Sequence, residues 1–354
     1  MSYFSAINLK DENGLPYGVK HVNNKPRVSS MPYLYDIAEG NVTGHVHFDK
    51  IGYTVVSGTT IKDVWSYTDV TINLPTTATA MEVYTAAAQD RHDPIFSGTD
   101  NGGSLVTLVD TAKNFNAGTP VLVGDCIVLN KSTSPSYGFV TAITNNTTLA
   151  VAGGFSDGLT ANGKAYTIIK VDTYSGVHAV LIEYLTTAFA EKSEIVLLGG
   201  ATTGVNLINV DVFRVQSMKA ISTGTAGVSA GAIQLWDADG SAPIYSYITL
   251  GYTRARNSCY TVPAGKTLYL VQFVAGYATS VNKVANARII LKATQNDEFK
   301  ISAFMPMAEI LCPNSTTFVE FIVPLKIVSG VTLKFTAVPT ESGQVTTVLR
   351  GWIE

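Results

Sequence analysis

The sequence predicts an all-β protein built of β-sandwich or jelly-roll-like units, and three observations carry that prediction. Residues 94–354 read as one β-run after another. Clusters of Ser, Thr, Gly, Asn and Pro separate the runs, as in Ser97-Gly98-Thr99-Asp100-Asn101-Gly102-Gly103. No stretch sustains an apolar period of about 3.6 residues with caps, so helix is expected only as a minor component, in Thr186–Ser193 and Ala78–Asp90.

Taken in order, residues 1–75 differ in texture from the rest of the chain. They scatter Gly14, Pro16, Gly18, Pro26, Pro32, Gly40 and Gly44 among short apolar segments, with the aromatics Tyr33, Tyr35, Phe48 and Tyr53 close together. A segment with so little periodicity seldom makes its own core. It reads as an extended N-terminal arm lying along another surface or a neighbouring copy, or as an irregular wrap around its own domain.

Leu74-Pro75 closes the arm, and a β-domain is expected over 76–222. Its runs include Ala179–Tyr184, Glu194–Leu198 and Val210–Ser217. Residues 104–171 read as a small β-module inserted into it, with runs at Ser104–Val109, Val121–Leu129, Tyr137–Ile143 and Tyr166–Val171. Asn145-Asn146 within the module is a two-residue hairpin signal. The Gly/Ser/Thr/Ala-rich stretch Thr223–Ala230 marks a joint, and 223–354 is expected to be a C-terminal sandwich. Its landmark is Tyr260-Thr261-Val262-Pro263-Ala264-Gly265-Lys266-Thr267. Pro263 presets φ for the first central turn position and Gly265 comes just after the tightest point, which is hairpin-corner chemistry joining a short strand to the apolar run Leu268–Val274.

Composition shifts the functional question from chemistry to surfaces. The 354 residues can hold two or three domains, yet only 14% are charged while 46% are hydrophobic, against about 25% charged in average proteins. Surfaces that neutral tend to be covered by other subunits, so a homo-oligomer is expected, with a trimer as the candidate symmetry. The net charge is −3 and Lys/Arg clustering stops at pairs such as Arg254 and Arg256, which argues against direct nucleic-acid binding. Cys126, Cys259 and Cys312 are odd in number and lack metal spacing; buried free thiols in a protein folded in a reducing cytoplasm are the expectation. The N-terminus has no basic region followed by an apolar stretch, and no apolar run approaches the ~18 residues of a membrane span, so neither a signal peptide nor a membrane partner is expected.

Each candidate for chemistry has a plainer explanation. His45 and His47 share one face of a strand, with Asp49 in the same parity and His92 distant; they read as polar-face or subunit-contact histidines rather than a metal site. Asp90-Arg91-His92-Asp93 reads as a solvated, salt-bridging turn. Asp237-Ala238-Asp239-Gly240 opens like a calcium loop, but position 12 would be Ile248, so a turn is the better reading. The Asn-X-Ser/Thr matches at Asn41, Asn130, Asn146 and Asn314 read as coincidental. No catalytic residue, cofactor or metal ligand is assigned, and the chain is expected not to be an enzyme.

Several segments, in order, resemble a family of tailed-bacteriophage virion structural proteins. They are Lys10–Gly14 with Tyr17–Lys20, Pro32–Gly40, and Gly44 to Tyr53 followed by Asp63-Val64-Trp65. Further along come Ser97–Asp100, Ala179–Leu185, Glu194–Gly200, Phe213–Met218 and Tyr260–Thr267. The similarity spans most of the chain outside 104–171. It implies a virion component, made in the host bacterial cytoplasm and assembled without a known reaction. The implied partners are copies of itself and capsid, portal, neck or tail proteins. The arm is then expected to anchor each copy through Tyr33, Tyr35, Phe48, Tyr53 and Trp65, because aromatic groups concentrate interface energy. Deletion of 1–60 should leave a folded remainder unable to join particles. The rival readings are a receptor- or glycan-binding fibre protein, using aromatic platforms near Tyr137, Phe139, Trp236 or Trp352, and a glycan depolymerase, which would need two facing carboxylates.

Overall fold

Strand pairing dominates the computed structural model, which describes residues 19–22, 25–28, 33–158, 160–201, 203–279, 285–294 and 303–354, with side chains from Asp36 onward apart from those of Ser241 and Ile322. The described strands form six sheets, every pairing antiparallel. The fold is all-β, as composition and periodicity predict. No helix among the described residues is long and apolar enough to cross a membrane.

The expected helical turns are corrected. Met81–Thr85 is a strand whose Met81, Val83 and Thr85 point inward, and Glu191–Leu197 is another. In Met81–Thr85 period-two burial won over the Ala-rich composition around it, and Glu191–Leu197 is held by its seven-pair ladder to Ala179–Leu185. The helix lies instead at Tyr33–Ala38, against the strands Val46–Val56 and Gly343–Ile353.

Six strands between Pro94 and Ile169 make one sheet, in the order Pro94–Thr99, Ala165–Ile169, Cys126–Leu129, Ser136–Asn145, Thr148–Val151, Thr107–Val109. Its first strand therefore precedes the expected start at 104. Leu108, Phe115, Ile127, Leu129, Leu149 and Ile168 fill its core. The expected hairpin is present, with its two-residue turn at Asn146-Thr147, one position later than expected, and Thr148 opposite Asn145. Asp100 ties the two ends of the sheet together. Its buried carboxylate accepts the backbone N–H groups of Gly102, Gly103 and Val109 at 3.1, 2.6 and 2.5 Å.

Below this sheet a sandwich packs Glu191–Leu197, Val177–Leu185 and Arg214–Thr223 over Val205–Asn206, Met81–Thr85, Ile233–Asp237 and Ser241–Ile248. Ile233, Leu235 and Ile248 share one core with Met81, Val83, Val180 and Ile182. The unit expected to begin at 223 thus gives its first hairpin to the central sandwich. The reason is register: Ile233–Asp237 pairs residue for residue with Met81–Thr85. Cys126, Val128 and Ile169 pack with Ala179, Ile195 and Leu197, so the six-stranded sheet and the sandwich share a contact core.

The C-terminal sandwich sets Tyr260–Thr261, Thr332–Pro339, Ala287–Thr294 and Phe304–Cys312 against Thr316–Val328, Thr267–Ala278, Gly343–Ile353 and Val46–Val56, with Lys62–Asp63 added beside Thr332–Pro339. Gly265 takes a φ of 71° and Lys266 N–H closes on Pro263 O at 3.2 Å. The turn is where the Pro-Ala-Gly pattern predicts it, but it does not close a hairpin: Tyr260–Thr261 and Thr267–Ala278 lie in different sheets, and the chain crosses there from one to the other. Val46–Val56 pairs without interruption from Val46↔Ile353 to Val56↔Gly343. From Val46 onward the predicted arm is therefore part of its own sandwich, because alternating Phe48 and Val56 have a core to fill. Trp65, Ile72, Ile244 and Cys259 fill the seam between the two sandwiches.

Candidate interaction surfaces

The five expected anchors divide by burial. Tyr33 and Tyr35 lie in the short helix, and their side chains fall outside the described ones. Phe48 is buried, its ring centroid 4.6 Å from that of Tyr260. Trp65 is 1% exposed, and its indole N–H donates to Asp69 O at 2.9 Å. Tyr53 is part-buried under the Arg256 guanidinium, which lies 3.9 Å above its ring and 3.8 Å from that of Tyr252. Phe48 and Trp65 are therefore corrected: their apolar surface is already consumed inside their own chain, and neither can meet a partner in this conformation.

The candidate chemical groups are also tied into the fold. His45 Nε2 lies 3.1 Å from Glu354 and His47 Nδ1 3.9 Å from Asp49. No cluster of three potential metal ligands occurs among the described residues. Asp90 is fully buried rather than solvated. It accepts hydrogen bonds from Val177, Ala230 and Gly231 N–H, each at 2.8 Å, and from Thr85 Oγ1 at 2.9 Å. His92 Nδ1 donates to Leu198 O at 2.6 Å, and burial lowers its pKa. Asp237–Gly240 is a turn, closed by Gly240 N–H on Asp237 O at 3.0 Å. The three cysteines are free and buried, and burial pushes the Cys126 thiol up to about 12 and that of Cys259 to about 11.

A cleft of about 380 Å³ opens where the two sandwiches meet, lined by Glu183, Glu191, Lys192, Gln216 and Tyr260 among others. Two of its polar side chains, Glu183 and Gln216, are engaged within the fold. Glu183 accepts from Ser217 and lies 3.6 Å from Lys219, while Gln216 donates to Thr261 O and accepts Thr261 N–H. Beside it Lys50 donates to Gln216 O, and desolvation lowers its pKa to about 8. This constellation cements a seam.

The aromatic residues of the rival platform reading are mostly covered. Trp352 is 9% exposed and stacks with Tyr269 at 5.2 Å, and Trp236 is part-buried, stacked with Tyr84 at 4.9 Å. Phe139 stands out more, at 38%.

Sequence reasoning missed the two edge strands Phe304–Cys312 and Thr316–Val328, which follow one another in the chain but lie in opposite sheets. Each strand is the end strand of its sheet, so one lateral side of the C-terminal sandwich is made of both. Met305, Met307, Leu311, Phe318 and Val323 are all exposed on it. The signal was the apolar run of 316–328 itself, in which Glu320 and Lys326 are the charged residues. The outer face of the four-stranded sheet carries ordered rows. Ile51, Val348, Val274 and Phe318 form an apolar one across the strands. The next is a polar chain: Arg350 Nε reaches Asp49 at 3.5 Å, Arg350 Nη1 donates to Gln272 at 3.2 Å, and Gln272 donates to Glu320 at 3.3 Å. Glu320 ends that chain at the sheet edge.

No family model matches the chain, and no curated protein matches it. Among solved structures it aligns with VP17, a capsid protein of bacteriophage P23-77, at 10% identity over 88% of this chain and 98% of that one, with a TM-score of 0.14. It also aligns with the structure of the infectious bursal disease virus Gx strain, at 9% identity over 88% of this chain and 76% of that one, with a TM-score of 0.12. Scores that low carry no argument about fold or role, so the reading of this chain rests on its own sequence and geometry.

Proposed function

We propose that this chain is a non-enzymatic structural subunit of a tailed-phage virion, assembling with copies of itself and with other virion proteins on the head, neck or tail. The observation that carries the reading is where the uncharged surface lies. Large apolar side chains stand exposed in groups: Leu105, Val106, Leu122 and Val123 on the six-stranded sheet's loops, and Met305, Leu311, Phe318 and Val323 on the C-terminal edge. Grouped exposure of this kind is characteristic of surfaces that become covered in an assembly. The ordered resemblance to virion proteins supports the same reading, and the candidate ionisable clusters serve the fold. In this role the six-stranded sheet is the outward module. The anchor narrows to the segment before Val46.

The deciding measurement is the number of copies of this chain in purified particles of the phage that encodes it, by quantitative mass spectrometry. Hundreds of copies assign it to the capsid surface and about a dozen to a collar, tail or vertex. Its absence from particles overturns the reading.

A further inference from the structure

The four-stranded sheet of the C-terminal sandwich has two lateral edges, and they are treated differently. On Val46–Val56, Tyr53 N–H donates to Arg256 O at 3.2 Å and Lys50 reaches Gln216 O, so that edge is covered by the chain itself. Thr316–Val328, at the other edge, has Thr267–Ala278 as its ladder partner, and among the described residues no strand lies beyond it in the sheet. An open edge is a template for another strand. Here it also carries Phe318, Val323 and Val328 at 60%, 77% and 37% exposure.

What the edge would accept is written in its own order of residues. Read outward from Val323 in both directions, 318–328 is matched at four of its five pairs, Ile322 with Pro324 being the exception: Phe321 with Leu325, Val319 with Ile327 and Phe318 with Val328 are apolar, and Glu320 with Lys326 is oppositely charged. The faces agree as well. Phe321, Leu325, Val319 and Ile327 all pack on the sandwich core, whereas Phe318, Glu320, Lys326 and Val328 are exposed. The strand's own ladder also breaks at this centre, since the pairing jumps from Gln272↔Glu320 to Leu270↔Leu325 and leaves 321–324 without ladder partners.

We infer that Thr316–Val328 is a homotypic contact, in which two copies pair this strand antiparallel across a two-fold axis through Val323 and join their four-stranded sheets into one. This deepens the proposed subunit role and rests on it. Antiparallel pairing about that axis sets Glu320 opposite the partner's Lys326 and Phe318 opposite the partner's Val328, each twice. Opposite charges facing across strands are favourable and like charges unfavourable. Pro324 lacks an N–H, and it fits because antiparallel ladders alternate hydrogen-bonded and non-hydrogen-bonded pairs. The contact requires that the odd-numbered residues carry the bonds, with Pro324 between them.

The test uses the full chain in analytical ultracentrifugation. Wild type is expected to contain a concentration-dependent dimer or an even-numbered oligomer built from it. Glu320→Lys and Lys326→Glu each place like charges opposite one another twice and should weaken the dimer by about tenfold or more. The double exchange should return the dissociation constant to within about threefold of wild type, which a merely damaged fold would not do. Val323→Cys under mild oxidation should give a covalent dimer, and Val55→Cys on the covered edge should not. A chain that stays single at every concentration overturns the contact, as does a trimer indifferent to the charge reversals. Either result leaves the particle copy number, measured separately, to judge the structural role. A chain that dimerises as described yet is absent from particles overturns that role and keeps the contact.

Discussion

Phe48 and Tyr260 meet ring to ring at 4.6 Å, one from the strand Val46–Val56 and the other from the short strand that starts the turn into Thr267–Ala278. The contact closes the N-terminal part of the chain into the C-terminal sandwich. Phe48→Ala should cost about 3–5 kcal/mol, the usual range for emptying a buried aromatic site. Chemical denaturation followed by circular dichroism would read it. A loss under about 1 kcal/mol would mean the N-terminal strand is not docked as described.

Truncation should show a sharp boundary for the same reason. A chain lacking residues 1–32 keeps every strand of the C-terminal sandwich. A chain lacking 1–60 loses Val46–Val56 and with it the eleven-pair ladder to Gly343–Ile353. It also exposes the apolar face of the sheet along Val345 and Leu349. The shorter deletion should purify with an unchanged unfolding midpoint, and the longer one should aggregate or melt far lower. The expectation from sequence, that deletion of 1–60 leaves a folded remainder, does not survive this pairing.

How much of this was legible in the sequence depends on what each element answers to. Period-two runs such as Ala179–Tyr184 and the Pro263-Ala264-Gly265 corner are set by local chemistry, and both are where the sequence placed them. Partnership is not local. Nothing near Phe48 tells that its strand pairs with one some 300 residues later, and nothing near Ile233 tells that it fills the core begun by Met81. Among the site residues, Phe48 and Trp65 looked like anchors because aromatics in a segment of low periodicity suggest an interface. The same property suits a residue that fills its own chain's core. The open edge was readable in principle from the symmetric order of residues about Val323, but only the topology shows that this strand ends its sheet.

The buried thiols give a simple chemical prediction. Desolvation holds Cys126 and Cys259 far above the ordinary thiol range, to about 12 and about 11, and raises that of Cys312. Only the thiolate reacts at appreciable rate. At pH 8 the folded chain should therefore take up no more than a trace of iodoacetamide, while three equivalents should react in denaturant. Rapid modification of any cysteine in the folded state would contradict its burial.

Lys50 makes the pH dependence asymmetric. Its folded pKa falls to about 8 from 10.5 because the seam desolvates the ammonium, with Cys259 and Glu183 only partly opposing that. Between those two values the unfolded chain holds a proton that the folded chain has released, so this group's contribution to stability rises with pH. Below about 8 both states are charged, and the full desolvation cost weighs on the fold. Lys50→Met keeps the apolar stem and removes the charge. It should stabilise the protein at pH 7 by on the order of 2 kcal/mol, because each tenfold loss of proton affinity is worth about 1.36 kcal/mol, with allowance for relaxation and for the lost hydrogen bond to Gln216. The gain should shrink steadily from pH 8 and vanish near pH 10.5. Comparing wild type with the variant at each pH cancels the tyrosine and cysteine titrations, which run the opposite way in the same range. A stability difference that stays flat from pH 7 to 10.5 would show that the Lys50 ammonium is solvated, and that the seam between the sandwiches is open to water.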